Sequence, residues 1–278
     1  KILIDSFSEF AIKKKIDRPT MLRILEDVFS TIIRKKYKSS DNFDIIINVD
    51  TGDLEIWRYR EIVADDAEDV DENLQIRLTE AKKIEKDFEV GEEVAQNVGI
   101  ESFGRRVVQT ARQTLIQKIR DLEKSLLFDK YKDIVGEIVN GEIYQSLRRE
   151  AIIHDADRKE LSLPKNEQIK KDFFRKGDPV RAVVHKVEMS NGNPRIILSR
   201  TSPVFLEKLF EQEIPEIFEG LITIKKVVRE PGERAKVAVE SYDERIDPVG
   251  ACVGMKGSRI HSIVRELNNE NIDVINYT

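Results

Sequence analysis

The sequence is poor in the residues that build covalent or metal-based chemistry. It holds a single cysteine, Cys252, in 278 residues. An internal disulfide and a cysteine-based zinc site are therefore excluded, and a reducing compartment is the natural setting. Its three histidines, His154, His185 and His261, stand apart with no second ligand at metal-binding spacing. No uncharged apolar run approaches the roughly 18 residues of a membrane span. The start, Lys-Ile-Leu-Ile-Asp-Ser, lacks the basic and then apolar pattern of a signal peptide. The expectation is a cytoplasmic chain with no membrane partner, no metal and no cofactor. A basic excess is lacking too. With 47 basic and 52 acidic residues the net charge is −5, which taken alone argues mildly against a nucleic-acid partner.

What is present is a globular composition. At about 150 residues per domain the chain makes two domains or three small ones. Apolar residues are 40% and charged residues 36%, which gives packed cores under a solvated surface and excludes collagen-like or disordered chains. The chain opens on Lys rather than Met, as a fragment would. Charge is unevenly spread: residues 1–130 carry 23 basic and 27 acidic side chains, 131–200 carry 14 and 11, and 201–278 carry 10 and 14. Only the middle segment has the basic excess of a phosphate footprint. Glu61, Asp65, Asp66, Glu68, Asp69, Asp71 and Glu72 fall in a stretch without Lys or Arg. Such a block reads as a solvated loop, with a partner-facing patch as the alternative.

Periodicity predicts the elements. Ser6-Phe-Ser-Glu9 has capping-box spacing and is expected to open a short helix. A second helix follows Asp17 and Pro19, with Leu22, Leu25, Val28, Phe29, Ile32 and Ile33 at helical spacing. Residues 43–49 and 54–63 read as an antiparallel hairpin about Asp50-Thr-Gly-Asp53. Gln75–Thr79 and Glu93–Val98 read as strands around a short helix near Glu80–Lys86, with Trp57 and Tyr59 expected in the core. Residues 102–128 form a long helix with Val108, Ala111, Leu115, Ile119, Leu122 and Leu126 as its apolar stripe. From Ile134 short strands follow at Ile134–Val139, Glu142–Ser146, Ala151–His154, Lys159–Leu163, Pro179–Val187 and Arg195–Ser199. With the turn Asn191-Gly-Asn-Pro194 they predict a small closed barrel. The final segment reads α-β-β-α-α-β.

The motif with chemistry is Gly254-Met-Lys-Gly257, between two short helices, with Ser258 placed to cap the second. Glycines let backbone approach a ligand closely. Helix-start amides and Lys256 supply positive charge, the makings of a clamp on a phosphodiester backbone. A nucleotide phosphate loop is excluded because no Gly-Lys-Ser/Thr follows Gly250 and Gly254. No paired acids, Ser/His/Asp order or metal cluster marks an enzyme. Cys252, in an apolar helix beside the loop, reads as core.

Val249-Gly-Ala-Cys-Val-Gly-Met-Lys-Gly-Ser-Arg-Ile260 and Glu230-Pro-Gly-Glu-Arg-Ala-Lys-Val-Ala-Val239 resemble the first KH domain of the NusA family of bacterial transcription factors. Leu163-Pro-Lys-Asn-Glu-Gln168 and Arg195-Ile-Ile-Leu-Ser-Arg200 resemble the OB-type RNA-binding barrel that precedes it. Phe103-Gly-Arg-Arg-Val-Val-Gln-Thr-Ala-Arg112 resembles the family's long N-terminal helix. The resemblance implies an α+β multidomain chain. Residues 1–130 would be an α/β domain that binds RNA polymerase, 131–200 an OB-fold barrel, and 201–278 a type II KH domain that stops short of an expected second one. It implies a non-enzymatic elongation factor that binds RNA polymerase, nascent single-stranded RNA and other antitermination factors, without DNA sequence readout. Such a factor modulates pausing, intrinsic termination and antitermination. RNA would be held by Gly254, Met255, Lys256, Gly257, Ser258 and Arg259, and on the barrel by Tyr144, Arg148 and Arg149, with Tyr144 as a packed strand residue the alternative. Arg105, Arg106, Arg112, Lys118, Arg120 and Lys124 would form a ridge facing polymerase or RNA, or else an ordinary solvated helix face. Two rival readings are the KH-plus-barrel accessory region of a phosphorolytic RNA-degrading enzyme, and a pure protein-interaction scaffold.

Overall fold

Apolar periodicity and turn chemistry set most element boundaries in the computed structural model, which describes residues 2–278, with side chains from Ile4. The chain forms two units, Lys1–Glu123 and Lys124–Thr278, in a mixed α+β fold.

The first unit begins with helices α1 (Ile2–Lys13) and α2 (Arg18–Tyr37). Helix α2 starts where the sequence predicts, since Asp17 accepts the Thr20 amide as N-cap. Ser6 and Glu9 do not start a helix; both lie inside α1, because the apolar set Ile4, Phe7 and Ala11 extends the core-facing stripe in front of them. A sheet follows: β1 (Phe43–Asn48), β2 (Asp53–Val63), β3 (Gln75–Arg77), the one-turn helix α3 (Leu78–Ala81) and β4 (Glu93–Asn97). β2 pairs antiparallel with β1 and β4 and parallel with β3. The short helix thus comes earlier than Glu80–Lys86. Trp57 and Tyr59 are half-buried on the face opposite Ile56, which enters the core with α1 and α2, because strand side chains alternate. Trp57 Nε1 instead donates to Glu55 Oε2 at 2.9 Å. The acidic stretch is irregular and held by local bonds: Asp65 accepts the Thr79 amide and hydroxyl.

The long helix α4 (Arg105–Lys132) buries Ala111, Leu115 and Ile119 in the first unit's core. Leu126, predicted in the stripe, is instead exposed. In the second unit Leu127 and Tyr131 take over, packing into the barrel core.

That barrel is closed by five strands: β5 (Ile138–Ser146), β6 (Glu150–His154), β7 (Glu160–Pro164), β8 (Pro179–Ser190) and β9 (Asn193–Ser199), in the order β5-β6-β7-β9-β8. Five strands are the complement of an OB barrel. The two predicted strands Ile134–Val139 and Glu142–Ser146 are one. Gly141 makes no turn; its missing Cβ admits Ile153 Cγ2, which would otherwise lie 2.3 Å away. Asn191 and Gly192, both at positive φ, make the two-residue turn that joins Ser190 to Asn193.

After the barrel come α5 (Pro203–Glu213), α6 (Pro215–Phe218), β10 (Ile222–Glu230), β11 (Arg234–Ser241), α7 (Pro248–Val253), α8 (Ser258–Glu266) and β12 (Asn271–Asn276). The predicted α-β-β-α-α-β order stands, with α6 added. β10 and β11 are antiparallel, and β12 runs parallel to β11. Phe205, Leu206, Leu209, Phe210, Val237, Val239, Cys252, Ile263 and Leu267 make the core between helices and sheet.

Barrel and sheet domain share a buried polar seam. Arg200, with its side chain 6% exposed, pairs with Asp172 at 2.9 Å and Glu266 Oε1 at 2.9 Å. It also donates to the Arg181 and Glu266 carbonyls, and Asn268 donates to Asp172. A second pair, Arg229–Glu270, is fully buried on both sides. Its carboxylate also accepts the Gly232 amide at 3.0 Å. These pairs join elements distant in sequence, and each buried charge has partners for its hydrogen-bonding capacity, which is what makes burial tolerable.

Candidate nucleic-acid interface

The Gly254–Gly257 loop joins α7 to α8 through backbone that only glycine adopts readily. Gly254 has φ 73°, ψ 172°, a region closed to residues with a Cβ. A Cβ there would also stand 2.8 Å from Arg259 Cγ. Lys256 (φ 51°, ψ 28°) and Gly257 (φ 77°, ψ 15°) are both left-handed. The Gly257 amide donates to the Gly254 carbonyl at 3.1 Å, and the Ser258 amide to the Met255 carbonyl. The turn is therefore closed on its own backbone, and the Met255 and Lys256 amides have no backbone acceptor among the described residues. Met255 is 89% exposed, and Lys256 is exposed with no carboxylate partner among the described residues. The loop thus presents backbone donors, one free cation and the positive end of α8 on a surface without obstructing side chains.

Two residues of the motif differ from expectation. Ser258 does not cap α8. It is the first helical residue, at φ −59°, ψ −38°, and left-handed Gly257 occupies the capping position without a side chain to donate to or accept from. Arg259 is not a free cation: its Nη1 donates to Glu216 Oε2 and to the Ala251 carbonyl, both at 2.8 Å. It braces the loop against α6 and α7. Cys252, beneath, is fully buried, and desolvation pushes its thiol up to about 12, which removes any nucleophilic role at neutral pH.

On the barrel, Arg148 and Arg149 lie in the exposed β5–β6 loop, and neither meets a carboxylate among the described residues. Tyr144 is 43% exposed on β5 rather than packed inside. The connection from β7 to β8 carries Lys170, Lys171, Phe173, Phe174, Arg175 and Lys176, and Phe173 is 75% exposed. Sequence reading passed over this run, although basic residues interleaved with aromatics are the signal of a nucleic-acid surface.

On α4, successive residues are about 100° apart. Arg105, Arg106, Arg112, Arg120 and Lys124 share about a third of the circumference, and Lys124 is half-buried. Lys118 lies across the buried stripe from them and pairs with Asp27 on α2 at 2.8 Å, so it is not part of a ridge.

Among the described residues no group of histidine, cysteine and carboxylate side chains could hold a metal, and no helix is long and apolar enough to cross a membrane.

Comparison with known proteins bears on both ends of the chain. The NusA-like first KH domain matches residues 200–277, and the NusA N-terminal domain matches residues 3–125. The transcription termination/antitermination protein NusA of Halalkalibacterium halodurans is 34% identical over 275 residues, covering 99% of this chain and 71% of its own length. The protein of the same name from Bacillus subtilis is 33% identical over 276 residues, with 99% and 73% covered. The solution structure of the N-terminal domain of NusA from B. subtilis is 26% identical, covering 44% of this chain and 95% of that one, with a TM-score of 0.31. By its N-terminal and KH sequences, and by its match along nearly the whole chain to curated relatives, this chain belongs to the NusA family.

Proposed function

We propose that this chain is a transcription elongation factor acting in termination and antitermination, with residues 1–130 docking on RNA polymerase and the segments 131–200 and 201–278 holding nascent single-stranded RNA. The supporting observation is the Gly254–Gly257 loop: strained, glycine-lined backbone within the stretch that matches the family's first KH domain. In KH modules such a loop clamps about four backbone nucleotides. Gly254, Met255, Lys256, Gly257 and Ser258 would line the clamp, and Arg259 would position it through Glu216. Arg148 and Arg149 would add cations from the barrel. The exposed arginines of α4 would face polymerase or emerging RNA.

A net charge of −5 gives little long-range attraction for RNA, so binding to free RNA should be weak. Tethering to polymerase raises the effective concentration to about millimolar for short linkers. The protein would then modulate pausing, termination and antitermination by position, holding RNA only where polymerase delivers it.

The test is RNA binding by fluorescence anisotropy at moderate salt, together with pull-down of purified RNA polymerase by the whole chain. Gly254→Asp with Gly257→Asp places side chains and negative charge in the clamp and should abolish the KH contribution while leaving polymerase capture intact. Equal RNA binding by the variant would sink the clamp. Failure to capture polymerase would sink the docking role.

A further inference from the structure

In the first unit the sheet packs one face on α1, α2 and α4 and leaves the other open. Leu54 and Ile56 of β2 turn toward that core with Ile45 and Ile47 of β1, so the residues between them turn outward. The outward set includes Asp44 and Ile46 on β1, Trp57, Tyr59 and Glu61 on β2, and Glu93 on β4. Its centre is apolar and aromatic: Trp57 and Tyr59 are half-buried, and Ile46 is 54% exposed. Asp53 and Glu55 continue the same face. Every charged residue that β1, β2 and β4 place there is a carboxylate, and none pairs with Lys or Arg among the described residues. Glu61 and Glu93 stand directly opposite each other in the β2–β4 ladder. Like charges so placed destabilise a sheet, and a cation between them would relieve it. Asp44, hydrogen-bonded to the Tyr59 hydroxyl, pushes that hydroxyl up, and Glu93 adds to the effect. Asp41, Asp44, Tyr59, Glu61 and Glu93 line a groove of about 560 Å³. Arg77, in register with Val63 at the far end of the face, donates to the Asp65 carbonyl.

A sheet face left to water alone carries polar side chains; this one sets a tryptophan, a tyrosine and an isoleucine among carboxylates. Its charge repels phosphate, which excludes RNA and anionic lipid as occupants. Among the described residues no set of side chains there could hold a metal. The complement is a guanidinium, which pairs bidentately with carboxylates and stacks on aromatic rings. We propose that this open sheet face is where the N-terminal unit seats a basic, arginine-bearing segment of RNA polymerase. Trp57 and Tyr59 supply the stacking faces, and Glu61 and Glu93 the pairing carboxylates. The assignment rests on the docking role proposed above and gives it one surface. It also separates two surfaces of opposite charge, since α4 packs on the other side of the sheet and its arginines are left for RNA.

The experiment measures binding of the whole chain to immobilised RNA polymerase by biolayer interferometry across a salt series. The parent's affinity should fall with salt, because attraction between opposite charges is screened. Trp57→Ala should weaken binding about 30-fold or more, the loss that marks a central interface anchor. Glu61→Gln with Glu93→Gln should slow association about tenfold at low salt and flatten the salt dependence. The free double variant should melt no lower than the parent, because a like-charge pair has been removed. Ile46→Lys puts a cation on the face at an exposed position and should weaken binding with the fold intact, as matching circular dichroism melts would show. It keeps the test open even where Trp57→Ala fails to fold. An unchanged salt dependence in the glutamine pair would refute a basic occupant. If all the face variants match the parent while Arg105→Gln with Arg106→Gln loses capture, polymerase docks on α4, and the sheet face is refuted with the docking role intact. If the parent captures no polymerase at any salt, the docking role and the sheet face fall together.

Discussion

Replacing Glu270 by glutamine should destabilise the C-terminal unit severely while leaving the N-terminal unit untouched. The Glu270 carboxylate is fully buried. It accepts Arg229 Nε at 2.8 Å and Nη2 at 3.0 Å, and the Gly232 amide at 3.0 Å. Arg229 Nη1 is committed to the Ser202 carbonyl at 3.0 Å. The glutamine side chain keeps the shape but loses the charge and points an NH2 group at donors, so a buried guanidinium is left without a counter-charge. Breaking one side of a buried pair costs about 3–5 kcal/mol, against a typical whole-domain stability of about 5–15 kcal/mol. At about 2–4 °C per kcal/mol for a unit of this size, the melting transition should fall by about 6–20 °C. Far-UV circular dichroism under urea or heat reads the loss. The sole tryptophan, Trp57, reports the N-terminal unit, and its fluorescence transition should not move. The double change Arg229→Met with Glu270→Leu should recover most of the loss, because an apolar pair needs no counter-charge. A loss below about 1 kcal/mol in Glu270→Gln, or a double variant worse than the single one, would refute the account of the pair as mutually dependent.

Asp155 supplies a pH-dependent case. Burial pushes its carboxylate up, but the Tyr131 hydroxyl at 2.6 Å, the Lys159 amide at 2.8 Å and Lys130 outweigh burial and hold it below the usual range. A depressed folded-state value means stability that is present above the unfolded carboxylate value and lost as pH falls through the folded one. Tyr131→Phe should therefore cost about 1–2 kcal/mol at neutral pH and progressively less below about pH 4; equal costs at both pH values would contradict this. Cys252, fully buried and with its thiol pushed up to about 12, should resist a thiol reagent at pH 8 until denaturant opens the KH core. Rapid modification of the native chain would show that the core is open. Gly141→Ala would put a Cβ 2.3 Å from Ile153 Cγ2 and 2.9 Å from the His154 carbonyl oxygen. It should cost about 1–3 kcal/mol by overpacking, read as a shift in the urea midpoint, and an unshifted midpoint would mean that the barrel wall can yield.

Much of the architecture was legible because it is written in local patterns. Asp17 at an N-cap, the Asn191-Gly192 turn and the stripe Ala111, Leu115 and Ile119 are all short-range signals. Reading failed where local and global preferences conflict. Ser6 and Glu9 match a capping box, yet core burial of Ile4 and Phe7 carries the helix through them. Gly141 looks like a break between strands, but it serves a close side-chain approach within one strand. Leu126 continues the stripe by count, whereas Leu127 and Tyr131 are the residues that meet the barrel.

The sequence by itself determined the order of segments and the position of the Gly254–Gly257 loop, since glycine spacing and helical periodicity are local and survive without any tertiary context. Only the tertiary structure decided which charges remain available to a ligand. Arg259 meets Glu216 across 43 positions and Lys118 meets Asp27 across 91, so two cations that looked free are committed. Lys256, Arg148 and Arg149 meet no carboxylate among the described residues. Phe173 stays in water while its neighbour Asp172 is buried in the Arg200 pair. Coulombic pairing depends on distance in space, and distance in space between remote residues is set by the fold.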